Sequence, residues 1–454
     1  MNPLFTITGL AGKKTLKGSV HINGAKNAAL KAMAAAVLFD GKVRLENVPD
    51  TADIETMASI LRKLGAKVEW VADQVVKNGG ITRKHILEID STSITSADID
   101  PVLAAGMRAS VVLTGPLLAR FGKVSFPAPG GCVIGARPID LFIEGYKKMG
   151  AKVDLKNGLY HITAHASLNG MQNFFHKISV GGTETLMMAA TLAKGKTILH
   201  NCALEPEIVN VAEWLIACGA KIKGVGTPVI EVEGNGGKLL KPKVFYTTIP
   251  DRIEAGSFLL LGALSAEDLK IENCEPKHME AVLHLLGDSG LKCDIGANSI
   301  HIKNNTKPNS HFKSFDVSTK EYPGFPTDLQ APAVAYLTQV KGESSVLETI
   351  FEGRFKYVED LIKIGANIKV LNEREISIKG PTAFIDGDNI GSDSNGDANE
   401  TELCAHDIRA GFAIVMAALV AKGKFVVRNA HLIDRGYEKL EERLSKLGTN
   451  IKRK

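Results

Sequence analysis

Six short stretches decide the fold: LRKLGAKVE (Leu61–Glu69), YKKMGAKVD (Tyr146–Asp154), LIACGAKIK (Leu215–Lys223), LLGDSGLKCDI (Leu285–Ile295), LIKIGANIK (Leu361–Lys369) and LSKLGTNIK (Leu444–Lys452). Each is an apolar helical face, then Gly, then a polar residue and an apolar, often β-branched exit. Gly accepts the positive φ that ends a helix, so each copy reads as a helix turning into a strand. The glycines, Gly65, Gly150, Gly219, Gly290, Gly365 and Gly448, recur 69 to 85 residues apart. A period of that size signals a repeated supersecondary unit. Upstream of each copy lies an almost wholly apolar helix: NAALKAMAAAVLF, RASVVLTGPLLARF, TLMMAATLA, SFLLLGALSA, LQAPAVAYLTQV and GFAIVMAALVA. A helix that is apolar all round is buried on every side. Most of these helices are followed by Gly-Lys and a strand. The unit is therefore strand–helix–strand–helix–strand, about 75 residues long.

The chain has 454 residues, so two to four domains are expected. Six units divide into two domains of three, with the middle boundary at about 246–250. Hydrophobic residues at 44% and charged residues at 23% exclude a disordered chain. Net charge is +5 and spread along the sequence, so nucleic acid is not a predicted partner. No run of about 18 apolar residues marks a membrane span, and the first residues do not read as a signal peptide. The six cysteines are scattered without metal-ligand spacing, which fits free thiols in a reducing compartment and a cytoplasmic protein. No P-loop, GxGxxG or HExxH is present, and no cofactor or metal is expected. The stretch 386–402 is acidic and rich in Gly, Asn and Ser, and reads as an exposed insertion.

Three constellations carry chemistry. Cations stand at the starts of the apolar helices: Lys26, Arg108, Arg252 and Arg409. A helix N-terminus already favours anions, so a cation there needs a carboxylate or an anionic ligand to compensate it. Asp407 beside Arg409 and Asp251 beside Arg252 are the simplest compensators. Several such cations at equivalent repeat positions point instead to a multi-anion site. Second, Pro127–Arg137 (PAPGGCVIGAR) places Cys132 on a Gly/Pro loop with Arg120, Lys123 and Arg137 near in sequence, a setting that lowers a thiol's pKa. The other five cysteines read as buried and inert. Third, Asp328 in GFPTD opens a helix, as an N-cap or as a base, with Arg354 and Arg435 suited to bidentate anion binding.

These residues sit in motifs that identify a resemblance. NGAKNAAL (Asn23–Leu30), MRAS (Met107–Ser110), PGGCVIGARPIDL (Pro129–Leu141), ISVGGT (Ile178–Thr183), EPEIV (Glu205–Val209), PDRIEAGSF (Pro250–Phe258), GFPTDLQ (Gly324–Gln330), FEGRF (Phe351–Phe355), DIRA (Asp407–Ala410) and HLIDRGYE (His431–Glu438) span nearly the whole chain in order. Together they resemble the UDP-N-acetylglucosamine enolpyruvyl transferases (UDP-N-acetylglucosamine 1-carboxyvinyltransferases). The Cys132 loop is the most specific of them, and the related shikimate-pathway enzymes lack it.

The resemblance implies an α/β fold of two inside-out barrel domains, built from six βαβαββ-type repeats with helices inside and sheets outside. One domain would hold residues 1–25 and 250–454, the other 26–249 with the Cys132 loop, and ligands would lie between them. The implied reaction moves the enolpyruvyl group of phosphoenolpyruvate to the 3-hydroxyl of UDP-N-acetylglucosamine and releases phosphate, the first committed step of peptidoglycan synthesis, with fosfomycin as an inhibitor. Implied catalytic residues are Cys132 as proton donor, Asp328 as base, and Lys26 and Arg409. Implied substrate-binding residues are Lys26, Asn27, Arg108, Arg137, Pro138, Ile139, Asp140, Leu141, Lys177, Ser179, Val180, Gly181, Asp328, Ile350, Arg354, Arg409 and Arg435. Cofactors and metals are not implied, and the oligomeric state is a monomer or a weak homo-oligomer. The chain departs from the family at Phe142, where a His is common, at Ala52, where a cation is common, and in insertions at 77–92 and 386–402. A non-catalytic UDP-sugar-binding regulator and the shikimate-pathway transferase are the competing readings. Turnover distinguishes the first and substrate choice the second.

Overall fold

The computed structural model describes residues 2–77, 80–128, 139–165, 167–387 and 401–454. The chain separates into two compact units. The first holds residues up to Asn23 and Pro250–Lys454; the second holds the described residues from Gly24 to Ile249.

All six predicted glycines have positive φ, from 91° to 108°. In every copy the residue after the Gly donates its N–H to the carbonyl four residues before the Gly. The pairs are Ala66 to Leu61, Ala151 to Tyr146, Ala220 to Leu215, Leu291 to Leu286, Ala366 to Leu361 and Thr449 to Leu444, at 2.9–3.3 Å. This bond closes the last helical turn and satisfies a carbonyl that the helix end would leave unpaired.

In the second unit the inner helices Lys26–Ala35, Thr114–Phe121 and Val180–Leu192 are buried almost throughout. In the first unit the same holds for Arg252–Ser265, Gln330–Leu337 and Ile408–Val420. The expected helix over Arg108–Phe121 instead begins as a 3₁₀ segment, Arg108–Leu113, before its α-helical part. Strands alternate buried and exposed residues: Val43 and Leu45 of Lys42–Glu46 face inward, as do Ile376 and Ile378 of Glu375–Gly380. Each unit has its own continuous apolar core. Helices fill that core, and the sheets enclose them with one polar face outward.

Among the described residues there are six sheets, five of four strands and one of three. Their order shows how distant segments complete a repeat. Strand Tyr246–Thr247 pairs in parallel with Lys42–Glu46. Strand Leu16–His21 pairs in parallel with Ala266–Glu272. Strand Phe5–Thr8 lies between Lys424–Arg428 and Asn450–Arg453, antiparallel to both. The insertion near residue 77 extends a hairpin, strands Lys67–Lys77 and Gly80–Asp90. Residues 388–400 of the acidic stretch lie outside the described residues.

A second repeated device links sheet to helix. Asn47, Asn201, Asn273 and Asn429 each follow the strand after an inner helix, each with φ between 55° and 60°. Asn tolerates this left-handed region better than most residues. Each side-chain amide donates to the carbonyl just past the neighbouring parallel strand: Thr248 (2.8 Å), Phe175 (2.8 Å), Ile22 (2.7 Å) and Ala405 (3.4 Å).

Candidate active site

In the first unit, the Phe-Pro turn before Asp328 leads into the 3₁₀ segment Thr327–Leu329, which runs straight into the inner helix from Gln330. Asp328 does not cap that helix. Its Oδ1 accepts from Arg354 Nη2 at 2.7 Å, and its Oδ2 lies 3.5 Å from Arg409 Nε. Arg354 is 7% exposed and Arg409 4%. Arg354 Nη1 also donates to Thr327 Oγ1 at 3.1 Å and to the Thr327 carbonyl. Arg409 stands over the ring of Tyr437, 5.1 Å from its centroid. The carboxylate beside Arg409 in sequence has another task. Asp407 caps the helix Ile408–Val420, accepting from the N–H groups of Arg409 (2.7 Å) and Ala410 (2.9 Å).

Two donors here are unused. Arg354 Nε and Arg409 Nη1 are buried and have no hydrogen-bond partner among the described residues. An unpaired buried donor on a cation is costly and suits a site awaiting an anion. Burial acts to lower the Arg354 pKa, yet the charges of Asp328 and Asp407 outweigh it and the net shift is upward. For Arg409 burial again acts downward, and Tyr437 and Asp328 carry the net shift upward. Both guanidiniums are held as cations. Ile350 is half-buried, its N–H donating to Glu348 Oε1 at 2.9 Å. Arg435 is half-buried just beyond the helix Ala430–Ile433.

In the second unit, Lys26 opens its inner helix and its Nζ lies 2.9 Å from Asp53 Oδ2, both groups under a tenth exposed. Asp53 stands in the first turn of helix Ala52–Leu64. One turn after Lys26, Lys31 Nζ donates to the Asn27 carbonyl (3.1 Å) and pairs with the buried Glu184 at 3.0 Å. Asn27 is half-buried, and Arg108, also half-buried, opens the 3₁₀ segment. Ser179 caps the helix Val180–Leu192, its Oγ accepting from Gly182 N at 3.0 Å. Val180 and Gly181 form the first turn, half-buried, and Lys177 is exposed just before them. Ile139 and Leu141 are buried and Asp140 is exposed at the start of helix Asp140–Lys148. Cys132, Arg137 and Pro138 lie outside the described residues.

The structure thus joins Asp328, Arg354 and Arg409 in one cluster, and places Lys26 and Asn27 on one helix. Sequence reasoning missed three partners: Asp53 for Lys26, Glu184 for Lys31, and Thr327 for Arg354. The expectation of five buried cysteines needs correction. Cys202, Cys218 and Cys274 are buried, but Cys293 and Cys404 are half-exposed, each on an edge strand of its sheet. Burial still raises the thiol pKa at Cys202, Cys274, Cys293 and Cys404. Among the described residues no His/Cys/Asp/Glu group could hold a metal, and no helix is long and apolar enough to cross a membrane.

Residues 10–444 match the family described as EPSP synthase (3-phosphoshikimate 1-carboxyvinyltransferase). A UDP-N-acetylglucosamine 1-carboxyvinyltransferase from Koribacter versatilis is 42% identical over 445 residues, 98% of this chain and 95% of that one. A protein of the same name from Helicobacter pylori is 40% identical over 444 residues, covering 98% of each. The enolpyruvyl transferase NikO from Streptomyces tendae superposes with a TM-score of 0.82 at 23% identity, over 100% of this chain and 99% of that one. An EPSP synthase from Acinetobacter baumannii gives 0.66 at 18% identity, covering 100% of both chains. The chain belongs to the carboxyvinyltransferase (enolpyruvyl transferase) family, and within it to the UDP-N-acetylglucosamine 1-carboxyvinyltransferases.

Proposed function

We propose that this protein transfers the enolpyruvyl group of phosphoenolpyruvate to the 3-hydroxyl of UDP-N-acetylglucosamine and releases phosphate. One observation in the structure carries this reading: Asp328 lies against two buried guanidiniums whose remaining donors are unfilled. A base beside an anion site is what the reaction needs. Asp328 takes the proton of the sugar hydroxyl as its oxygen attacks phosphoenolpyruvate. Cys132 supplies the proton that the enol carbon gains. Elimination of phosphate with loss of a proton then restores the double bond. Arg354 and Arg409, with Lys26, Arg108, Arg137 and Arg435, bind phosphate and carboxylate and stabilise charge through both steps. Asn27, Ile139, Asp140, Leu141, Lys177, Ser179, Val180, Gly181 and Ile350 hold the UDP-sugar beside Pro138.

The reading places the protein in the cytoplasm, at the entry to peptidoglycan synthesis and so in cell-shape maintenance and division, as a monomer or weak homo-oligomer inhibited by fosfomycin. The names of its 40–42% identical relatives support the sugar substrate over shikimate 3-phosphate. A coupled phosphate-release assay tests it: release must require both phosphoenolpyruvate and UDP-N-acetylglucosamine. A folded protein that releases none, or that accepts shikimate 3-phosphate instead, sinks the proposal.

A further inference from the structure

Two of the six repeats depart from the asparagine pattern: the second has Ala128 after strand Lys123–Pro127, and the fifth has a charged residue. In four repeats the residue after the strand that follows the inner helix is the left-handed Asn described above. After strand Gly342–Leu347 it is Glu348, which is wholly buried. Its Oε1 accepts from Thr319 Oγ1 (3.0 Å), Ile350 N (2.9 Å) and Phe351 N (3.0 Å), and its Oε2 from Thr327 Oγ1 (2.8 Å). No salt bridge reaches it among the described residues. Thr319 is the residue just past the neighbouring parallel strand Val317–Ser318, the position whose carbonyl takes the Asn amide elsewhere. The sheet-to-helix link is therefore made in four repeats by a neutral side chain, at lower desolvation cost than a buried carboxylate. Something other than the link selects an anion here.

The orientation of one proton supplies the reason. Thr327 has a single hydroxyl hydrogen, and Glu348 can only accept, so that hydrogen points at Glu348. The Thr327 oxygen then turns a lone pair to Arg354 Nη1, 3.1 Å away. This fixes the guanidinium plane, whose Nη2 grips Asp328 at 2.7 Å. The same carboxylate holds the N–H groups of Ile350 and Phe351, at the head of the turn that delivers Arg354. We infer that Glu348 is a positioning residue, acting through Thr327 to aim Arg354 and Asp328. The inference rests on the proposed function, in which those two groups meet the substrates.

Glu348→Gln tests it with little change of shape. The two backbone amides keep the side-chain oxygen, so the new NH₂ faces Thr327 and turns its hydroxyl proton toward Arg354, donor against donor. Rates are referred to the sites that bind the UDP-sugar by calorimetry, so lost folded protein does not count. The expected kcat falls about tenfold, the loss of one hydrogen bond to a charged group, while KM for the UDP-sugar stays within about twofold. Thr327→Val gives a similar fall, Thr327→Ser retains kcat, and the Glu348→Gln/Thr327→Val pair is no worse than its poorer member. A Glu348→Gln kcat within about twofold of the unmodified protein, or multiplicative effects of the two changes, overturns the inference. Should Glu348→Gln fail to fold, Thr327→Val against Thr327→Ser decides by the same criterion. Binding of inorganic phosphate, read by calorimetry, follows Arg354 without turnover. Unchanged phosphate affinity in both Glu348→Gln and Thr327→Val overturns the inference even in an inactive protein, whereas absent turnover in the unmodified protein overturns only the functional reading.

Discussion

Replacing Asp328 by Asn removes one negative charge and leaves two buried cations facing each other. At an effective dielectric of about 20, each charge pair at about 4 Å is worth roughly 4 kcal/mol before desolvation. Removing one partner of a buried pair costs about 3–5 kcal/mol in practice. Asn keeps an acceptor near Arg354, whose Nη2 sits 2.7 Å from the present carboxylate. The lower end of that range therefore applies, and we expect a loss of about 3 kcal/mol. For a unit of about 150–250 residues, each kcal/mol shifts Tm by about 2–4 °C, so the transition falls by about 6–12 °C. Scanning calorimetry in a buffer free of phosphate and sulfate measures it. The same experiment has a second arm. Phosphate at about 100 times its Kd should return about 2.7 kcal/mol to the variant, because it replaces the lost anion. The unmodified protein gains less, since Asp328 competes with phosphate for both guanidiniums. Phosphate release should fall at least a hundredfold, at the low end for loss of a general base. A variant as stable as the unmodified protein, with the same response to phosphate, would refute the view that Asp328 is what holds Arg354 and Arg409 as buried cations.

Three further outcomes are expected. Lys26→Met removes the cation 2.9 Å from the buried Asp53 and should cost about 3 kcal/mol by urea unfolding; Trp70 and Trp214 both lie in the second unit and report on it by fluorescence. Asn201→Ala should cost about 1–2 kcal/mol through left-handed strain and a lost clip, and Asn201→Gly clearly less, because Gly accepts the observed φ of 58°. His406 has its pKa raised, chiefly by the hydrogen bond it donates to Asp360 and against the effect of burial. Its folded value exceeds the unfolded one of about 6.5, so its contribution is full below that pH and is lost as pH rises through the folded value. The stability difference between the unmodified protein and His406→Gln should therefore be larger at low pH and shrink across this window, and a difference independent of pH would count against the pair.

The glycines made the architecture legible because a helix stop at positive φ leaves little choice of residue, and six copies at a steady interval reveal the repeat. The inner helices were legible because nothing but burial on every side explains a sequence such as GFAIVMAALVA. The left-handed asparagines were equally visible, in ENVPD, HNCAL, ENCEP and RNAHL, but Asn after a strand has several ordinary uses and only the repeat frame gives these a common one. The cations at helix starts were readable as anomalies; their partners were not. Asp53 is 27 residues from Lys26 and Asp328 is 81 from Arg409, and nothing local in the sequence joins them. Asp407 was the natural partner for Arg409 by proximity, yet a side chain at a helix N-cap is committed to backbone N–H groups. Glu348 was overlooked because its importance lies in being unlike its counterparts, a comparison that needs the strands aligned first.

The sheet in which Phe5–Thr8 runs between Lys424–Arg428 and Asn450–Arg453 has a consequence for how the protein is made. A ribosome releases the second unit's described residues, between Gly24 and Ile249, before the long remainder of the first unit, and they can fold while synthesis continues. Strand Phe5–Thr8 must wait for Lys424–Arg428 and Asn450–Arg453. At about 5–20 residues per second, the residues between keep that strand without these partners for roughly 20–90 seconds. During this interval its exposed edge is open to chaperones or to other nascent chains. Phe5–Thr8 and Asn450–Arg453 are thus one structural element separated only in time, and removing either strikes the same sheet.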